Sequence, residues 1–378
     1  MDNVARLPKE KKTQENRAWH LPLSFITAVF ERINLRAIAR CACVASSWRD
    51  AARSPAITRK IQLRQAWTEW NVPLTGSVDT TLYPVTAAKR GNLVAIKDFD
   101  SAQIFDLKTK QRLLETEKDD DDWGQPSAMC FAGELLIVGY WDGRMCGFDL
   151  VEGRRSFCVD AAHGSQILSA IEHGEGVVTA GGDDTVKIWG RRGEGGSWEC
   201  EGELTGHQHI VRCVCAARDG AILVSGGEDT TLRVWSATSR KCMHVLRGHT
   251  NRVDSVDAHR DEVVSGASDH TVRFWDLNSG ACLRVFDNEK FSAASIAFNG
   301  FAVAAACFAD HSGGSSVSID DALSERGAWI WDAETGKTLR FPVQVKANYV
   351  WCTDEELVVL DGNGKFRVWD FSKHVVVD

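Results

Sequence analysis

The stretches TAGGDDTVKIW (Thr179 to Trp189), SGGEDTTLRVW (Ser225 to Trp235) and SGASDHTVRFW (Ser265 to Trp275) align without gaps. Each opens on a hydroxyl residue, passes a small residue and an Asp, and ends on a Trp six positions after that Asp. An apolar run precedes each: GVV, AILV and EVV. An apolar run, a tight Asp-bearing turn and a second alternating run read as a β-hairpin. Further upstream stand Ala162-His163, Gly206-His207 and Gly248-His249. The buried indole N–H of each Trp needs an acceptor. The turn Asp can accept from the His ring and from turn amides. The spacing therefore predicts one hydrogen-bonded set per hairpin.

Degenerate copies flank these three. Aligned on the closing aromatic, the series runs Phe105, Phe148, Trp189, Trp235, Trp275, Trp331 and Trp369. The pattern resembles the WD repeat, whose blades span roughly 40–45 residues. The resemblance assigns structural tetrads to His163, Thr179, Asp183 and Trp189, to His207, Ser225, Asp229 and Trp235, and to His249, Ser265, Asp269 and Trp275. Seven aromatics predict a mainly β chain: a seven-bladed WD-repeat β-propeller over residues 81–378. Such repeats cannot bury their faces alone, so the ring must close. The closing strand is expected at Val375–Val377 or near Asn71–Thr75. The long interval before Trp331 marks an insertion, and the Gly/Ser-rich residues Ala309 to Arg326 read as a flexible loop between two strands of blade six. Asp119–Asp122 read as a solvated acidic loop, because a bare Asp run lacks the spacing of a cation-binding loop.

Composition narrows the function. The 378 residues carry a net charge of −8, which argues against nucleic acid as main partner. The N-terminal MDNVARLPKEKKTQENR lacks an apolar segment, so no signal peptide is expected, and no stretch approaches a membrane span. The 12 Cys form no paired zinc-ligand spacing. They are expected as reduced, buried thiols of a cytoplasmic or nuclear protein. No metal, no cofactor and no catalytic constellation is predicted.

Ahead of the propeller, residues 1–17 are expected as a disordered tail. Then come Trp19-His20-Leu21-Pro22 and SFITAVFERINLRAIARCACVASSWRDAARSPAI. Phe25, Ile26, Val29, Phe30 and Ile33 have helical spacing, Leu35, Ile38, Ala39 and Ala42 begin a second helix, and a third runs from Ser46 or Ser47. Three short helices make a small core and leave apolar residues for docking. Residues 18–56 resemble an F-box through Leu21, Pro22, Ile26, Val29, Phe30, Ile33, Leu35, Val44, Trp48 and Arg49. Ser24 replaces the usual acidic residue after Leu-Pro. A helical cap on the propeller is the alternative. Residues 57–80, including ITRKIQLRQAWTEW, are expected to form a helical linker.

The resemblance to F-box proteins with WD repeats implies a non-catalytic substrate receptor of a Skp–cullin–F-box ubiquitin ligase. The F-box would dock a Skp-type adaptor and through it a cullin. The propeller's top face would hold a protein substrate whose identity is unknown. Candidate substrate contacts are Trp141, Arg212, Glu228, Arg252, Asp254 and Ser268. The repeated Arg of phosphate-reading relatives is absent, since Leu168 and Asp254 stand where Arg212 does, so no phosphodegron is expected. Lys187, Arg233, Arg273 and Arg367 recur two residues before a Trp, as a strand feature rather than a phosphate site. A WD-repeat assembly scaffold without a ligase role is the alternative function.

Overall fold

Short apolar runs in period-two alternation, punctuated by Asp- and Gly-bearing turns, leave the chain little choice but hairpins. In the computed structural model these hairpins join into seven four-stranded antiparallel sheets. The structure describes residues 59, 62–63, 76–80, 85–117, 124–192, 197–287, 291–309, 327–340 and 347–374. Blades one to six occupy 86–115, 126–159, 167–204, 211–246, 253–287 and 291–340. Blade seven takes three strands from 347–370 and its fourth from Gly76–Asp79. Each predicted closing aromatic lies on the third strand of its blade.

The closing strand comes from the N-terminal side, as the second expected segment has it, but begins just beyond Asn71–Thr75. Gly76–Asp79 pairs antiparallel with Lys365–Asp370, Val78 standing opposite Phe366. Thus residues 76–79 of the expected 57–80 linker are strand and belong to blade seven. Sequence repeat and blade are out of phase, which explains this. The outer strand precedes the His of the next blade, so the chain's first outer strand must serve its last blade. Arg59, Gln62 and Leu63 are helical and belong to a compact unit other than the one that holds the blades. The F-box residues, the tail, Asp119–Asp122, Val375–Val377 and most of the Ala309 to Arg326 insertion lie outside the described residues. The chain enters that insertion from Ala302–Ala309 and leaves it at Gly327–Asp332, two paired strands of blade six.

The core sits between blades, not within them. Val178, Val186 and Leu204 of blade three pack with Val211, Leu223 and Trp235 of blade four. Blades four and five share Val224, Val234, Val253, Val263 and Trp275 in the same way. Val78, Phe105, Val358 and Phe366 join blades seven and one. Each fully buried aliphatic side chain contributes about 1.5–3 kcal/mol, and only a neighbouring blade can supply that cover. Polar ties cross the same seams. Phe298 N–H of blade six donates to Asp257 of blade five at 2.8 Å. Burial pushes the Asp257 carboxyl up to about 6, against this bond and that from Ala258 N–H.

Two sets of register shifts shape the blades. On the first strand the ladder skips Ser127, Leu168, Arg212, Asp254, Ala294 and Asn348 in blades two to seven. On the outer strand it skips Leu113, Met243 and Leu283 of blades one, four and five. These three apolar residues are exposed, as are the ladder-paired Val245 and Val285 of the outer strands of blades four and five.

The cysteines depart from expectation. Cys146 and Cys158, register partners on the third and fourth strands of blade two, form a disulfide. Direct pairing across an antiparallel ladder brings their side chains together. Cys200, Cys242 and Cys282 are exposed, because outer strands present one face to solvent.

Replacing Val78, 5% exposed in the closing strand, with Asp puts an unpaired charge into the seam of blades seven and one. The expected loss is about 3 kcal/mol, read by urea unfolding. An unchanged midpoint would mean the ring does not depend on this strand.

Candidate functional site

The sequence sets spread each tetrad over four elements: the connection entering a blade, its second strand, the turn after it, and its third strand. In blade four, Trp235 Nε1 donates to Ser225 Oγ at 2.8 Å. Ser225 Oγ lies 2.8 Å from His207 Nε2, and His207 Nδ1 lies 2.9 Å from Asp229. Blade five repeats the chain at 2.8 Å throughout with Trp275, Ser265, His249 and Asp269. Blade three does so with Trp189, Thr179, His163 and Asp183 at 2.8, 2.7 and 2.8 Å. One proton pattern satisfies every member: indole N–H to hydroxyl, hydroxyl to Nε2, and Nδ1–H to carboxylate. The carboxylates also accept backbone N–H groups of Gly164, Gln208 and Thr250. Burial raises these carboxyls, but the hydrogen bonds from the His ring, the backbone N–H and the Thr hydroxyl outweigh it. Asp183, Asp229 and Asp269 therefore titrate well below the usual carboxylate range.

The other blades lack the hydroxyl. Ile96, Val138, Ala305 and Val359 occupy its register position in blades one, two, six and seven. In blade two the turn carboxylate of Asp142 is held by Arg144 instead, at 2.7 Å from Nε.

Since each His lies in a connection between blades and bonds to a turn Asp, connections and turns emerge at one end of the ring. This top face carries the predicted substrate contacts, and the structure brings five of the six together. Arg212, the skipped residue of blade four, reaches Glu228 at 3.1 Å and Asp254, the skipped residue of blade five, at 2.9 Å. Asp254 also takes Arg252 Nε at 3.0 Å and the Ser268 hydroxyl. Its side chain is only 8% exposed. Two cations and two anions neutralise one another, so no free positive charge is left here for a phosphate. Trp141 stands apart on blade two, 54% exposed.

The recurring cations pack locally. Lys187 donates to the Ala162 carbonyl, Arg233 stacks over Trp235, Arg273 donates to Thr271 and Arg367 pairs with Asp361. Among the described residues no group of three His, Cys, Asp or Glu could hold a metal ion. No helix there is long and apolar enough to cross a membrane. Phe99 was missed by sequence reading. It holds the blade-one counterpart of Trp141, but blade one has no WD-type turn to align it by.

Ser225→Ala strips the partner from both the Trp235 indole and His207 Nε2. The expected cost is about 2–3 kcal/mol by urea unfolding. For the tetrad Asp, the folded value lies below the unfolded value near 4, so each stabilises fully above about pH 4 and loses its contribution as pH falls further. Asp257 acts oppositely, its contribution falling as pH rises toward 6. Unfolding free energy should drop below about pH 4, with a slope reduced by about one proton in Asp229→Asn. An unaltered slope would remove the tetrad from the acid response.

The WD domain, G-beta repeat family model matches residues 198–236 and 240–276, the first starting in and the second just before one blade's outer strand, and both ending on the next blade's third. The U3 small nucleolar RNA-associated protein 15 homolog of Bos taurus is 40% identical over 133 residues, 35% of this chain and 24% of that protein. The DENN domain and WD repeat-containing protein SCD1 of Arabidopsis thaliana is 29% identical over 175 residues, 45% of this chain and 14% of that one. WD repeat-containing protein pop1 of Schizosaccharomyces pombe is 51% identical over 53 residues, 14% of this chain and 7% of that one. The matches thus span a quarter or less of these relatives. Among solved structures, the WD40 β-propeller domain of Doa1 superposes with a TM-score of 0.62 at 17% identity, covering 79% of this chain and 97% of that one. The computationally designed Ika8 protein gives 0.59 at 22%, covering 76% and 83%. At such identities the likeness is one of fold. Repeat match, sheet order and superposition agree: the chain carries WD40 repeats on a seven-bladed WD40 propeller.

Proposed function

We propose that the chain is a non-catalytic receptor that holds a target protein on the propeller's top face. The N-terminal segment would dock a Skp-type adaptor and, through it, a cullin-based ubiquitin ligase. The observation that carries the top-face half is the network of Arg212, Glu228, Arg252, Asp254 and Ser268. It is a mutually ion-paired polar patch on the top face, carried by the first strands of blades four and five and by turns whose backbone is itself hydrogen-bonded, Glu228 N–H to the Ile210 carbonyl and Ser268 N–H to the Arg252 carbonyl. The adaptor half rests on the sequence pattern from Leu21-Pro22 to Trp48-Arg49. Mechanistically such a receptor works by proximity, raising the local concentration of target lysines beside a charged conjugating enzyme. The chain's own residues bind and orient, and perform no bond-making.

Affinity capture tests both halves. The wild-type chain should recover a Skp-type adaptor and a cullin, identified by mass spectrometry. Leu21→Ala with Pro22→Ala should cut that recovery by roughly tenfold or more, about 1.4 kcal/mol, with the propeller's melting unchanged. Arg212→Glu leaves Glu228 without its ion pair and sets a new carboxylate against Asp254, which keeps only Arg252 and Ser268, and should lower target recovery while adaptor recovery stays. A wild-type chain that recovers neither adaptor nor cullin removes the ligase role and leaves an assembly scaffold.

A further inference from the structure

Phe99 and Trp141, 58% and 54% exposed, are the two aromatic rings among the exposed large hydrophobic side chains of the described residues. They hold the same structural position. Each stands two residues beyond the last paired residue of a second strand, where Lys97 faces Ala102 in blade one and Gly139 faces Met145 in blade two. Gly182, Glu228 and Ser268 fill that position in blades three to five. Consecutive blades therefore present two rings on the top face, separated from the Arg212 network by blade three. Leu168, the half-buried skipped residue of blade three, extends the apolar arc.

The backbone beneath both rings is pinned. Asp98 Oδ1 accepts the N–H of Asp100 at 2.9 Å and of Ser101 at 3.0 Å. Trp141 N–H donates to the Gln125 carbonyl at 2.9 Å, and Asp142 takes Arg144 N–H at 3.0 Å. Rings on a fixed turn offer large contact area at low entropic cost, which is the chemistry of binding anchors. Charge indicates the ligand. The mouth's Arg144, Arg212 and Arg252 are already tied to carboxylates, so an incoming anion would have to break ion pairs. A cation meets Asp98, which takes only backbone N–H groups, and the electron-rich faces of two rings.

We propose that the Phe99–Trp141 side of the mouth binds an extended, unphosphorylated segment of the target protein, anchored by a large apolar side chain with a neighbouring Lys or Arg. This deepens the top-face reading and rests on it. The test pans a random dodecapeptide phage library against the immobilised full-length chain. Recovered peptides should share an aromatic, Leu or Met residue beside Lys or Arg. A synthetic representative, followed by fluorescence anisotropy, should bind roughly twentyfold or more weakly to Phe99→Ser/Trp141→Ser. Asp98→Asn keeps the acceptor for both N–H groups and should weaken binding only for peptides that carry the cation. Both variants should melt with wild type, since neither ring is buried. Acidic consensus peptides, an absent apolar anchor, no recovered peptide, or unchanged binding to the double variant would overturn the proposal. If Arg212→Glu abolishes peptide binding and the ring variant does not, the top-face reading survives and this one falls. Adaptor capture bears on neither outcome.

Discussion

A four-stranded blade has two apolar faces and no cover of its own, and every other feature of this chain follows from that shortage. Val178 and Val211, Val224 and Val253, Val78 and Phe105 leave water only because a neighbouring blade arrives. A row of such sheets would always end in two bare faces, and a ring has none. Stability is therefore a property of the closed circle, and the short strand Gly76–Asp79 matters out of proportion to its length. Ubiquitous seam burial also explains why blades with poor sequence repeats still fold. Blades one, two, six and seven need only an apolar residue where blades three to five place a hydroxyl.

The tetrads add direction to this burial. Indole, hydroxyl, imidazole and carboxylate each carry a donor or acceptor that would be costly if buried alone. Linked in series they satisfy one another and fasten the entering connection to the turn and third strand of the same blade. The top face above blades three to five is consequently rigid, and the ion-paired residues Arg212 and Asp254 inherit that rigidity.

Much of this was legible in the sequence, for a physical reason. A tetrad fixes four residue types at fixed offsets, so His207, Ser225, Asp229 and Trp235 announce a blade by themselves. The seven aromatics gave the count because each sits at one register of a third strand. The closing strand was legible only to within a few residues and as one of two choices, because GSVD has no marker residue and its partner lies at the other end of the chain. The outer-strand cysteines were misread for a similar reason: alternation says which residues share a face, not which face meets solvent. The top-face cluster was found through repeat offsets, yet Phe99 was not, since the repeat in blade one has lost the residues that would align it. The Leu21-to-Trp48 pattern lies outside the described residues and stands on sequence alone.

The skipped residues of the first strands have one further consequence. Ser127, Leu168, Arg212, Asp254, Ala294 and Asn348 share a place in six blades but no chemistry. Left out of the hydrogen-bond ladder, they do not answer to strand register, and where they cross a seam, as Ser127 does to the Ile167 carbonyl and Arg212 to Asp254, they do so through polar tips rather than through the apolar core. Such a ring works as an exchangeable panel: selection can rewrite it one residue at a time without unfolding the frame that holds it. A scaffold that separates its recognition alphabet from its folding code in this way can change partners while remaining the same protein.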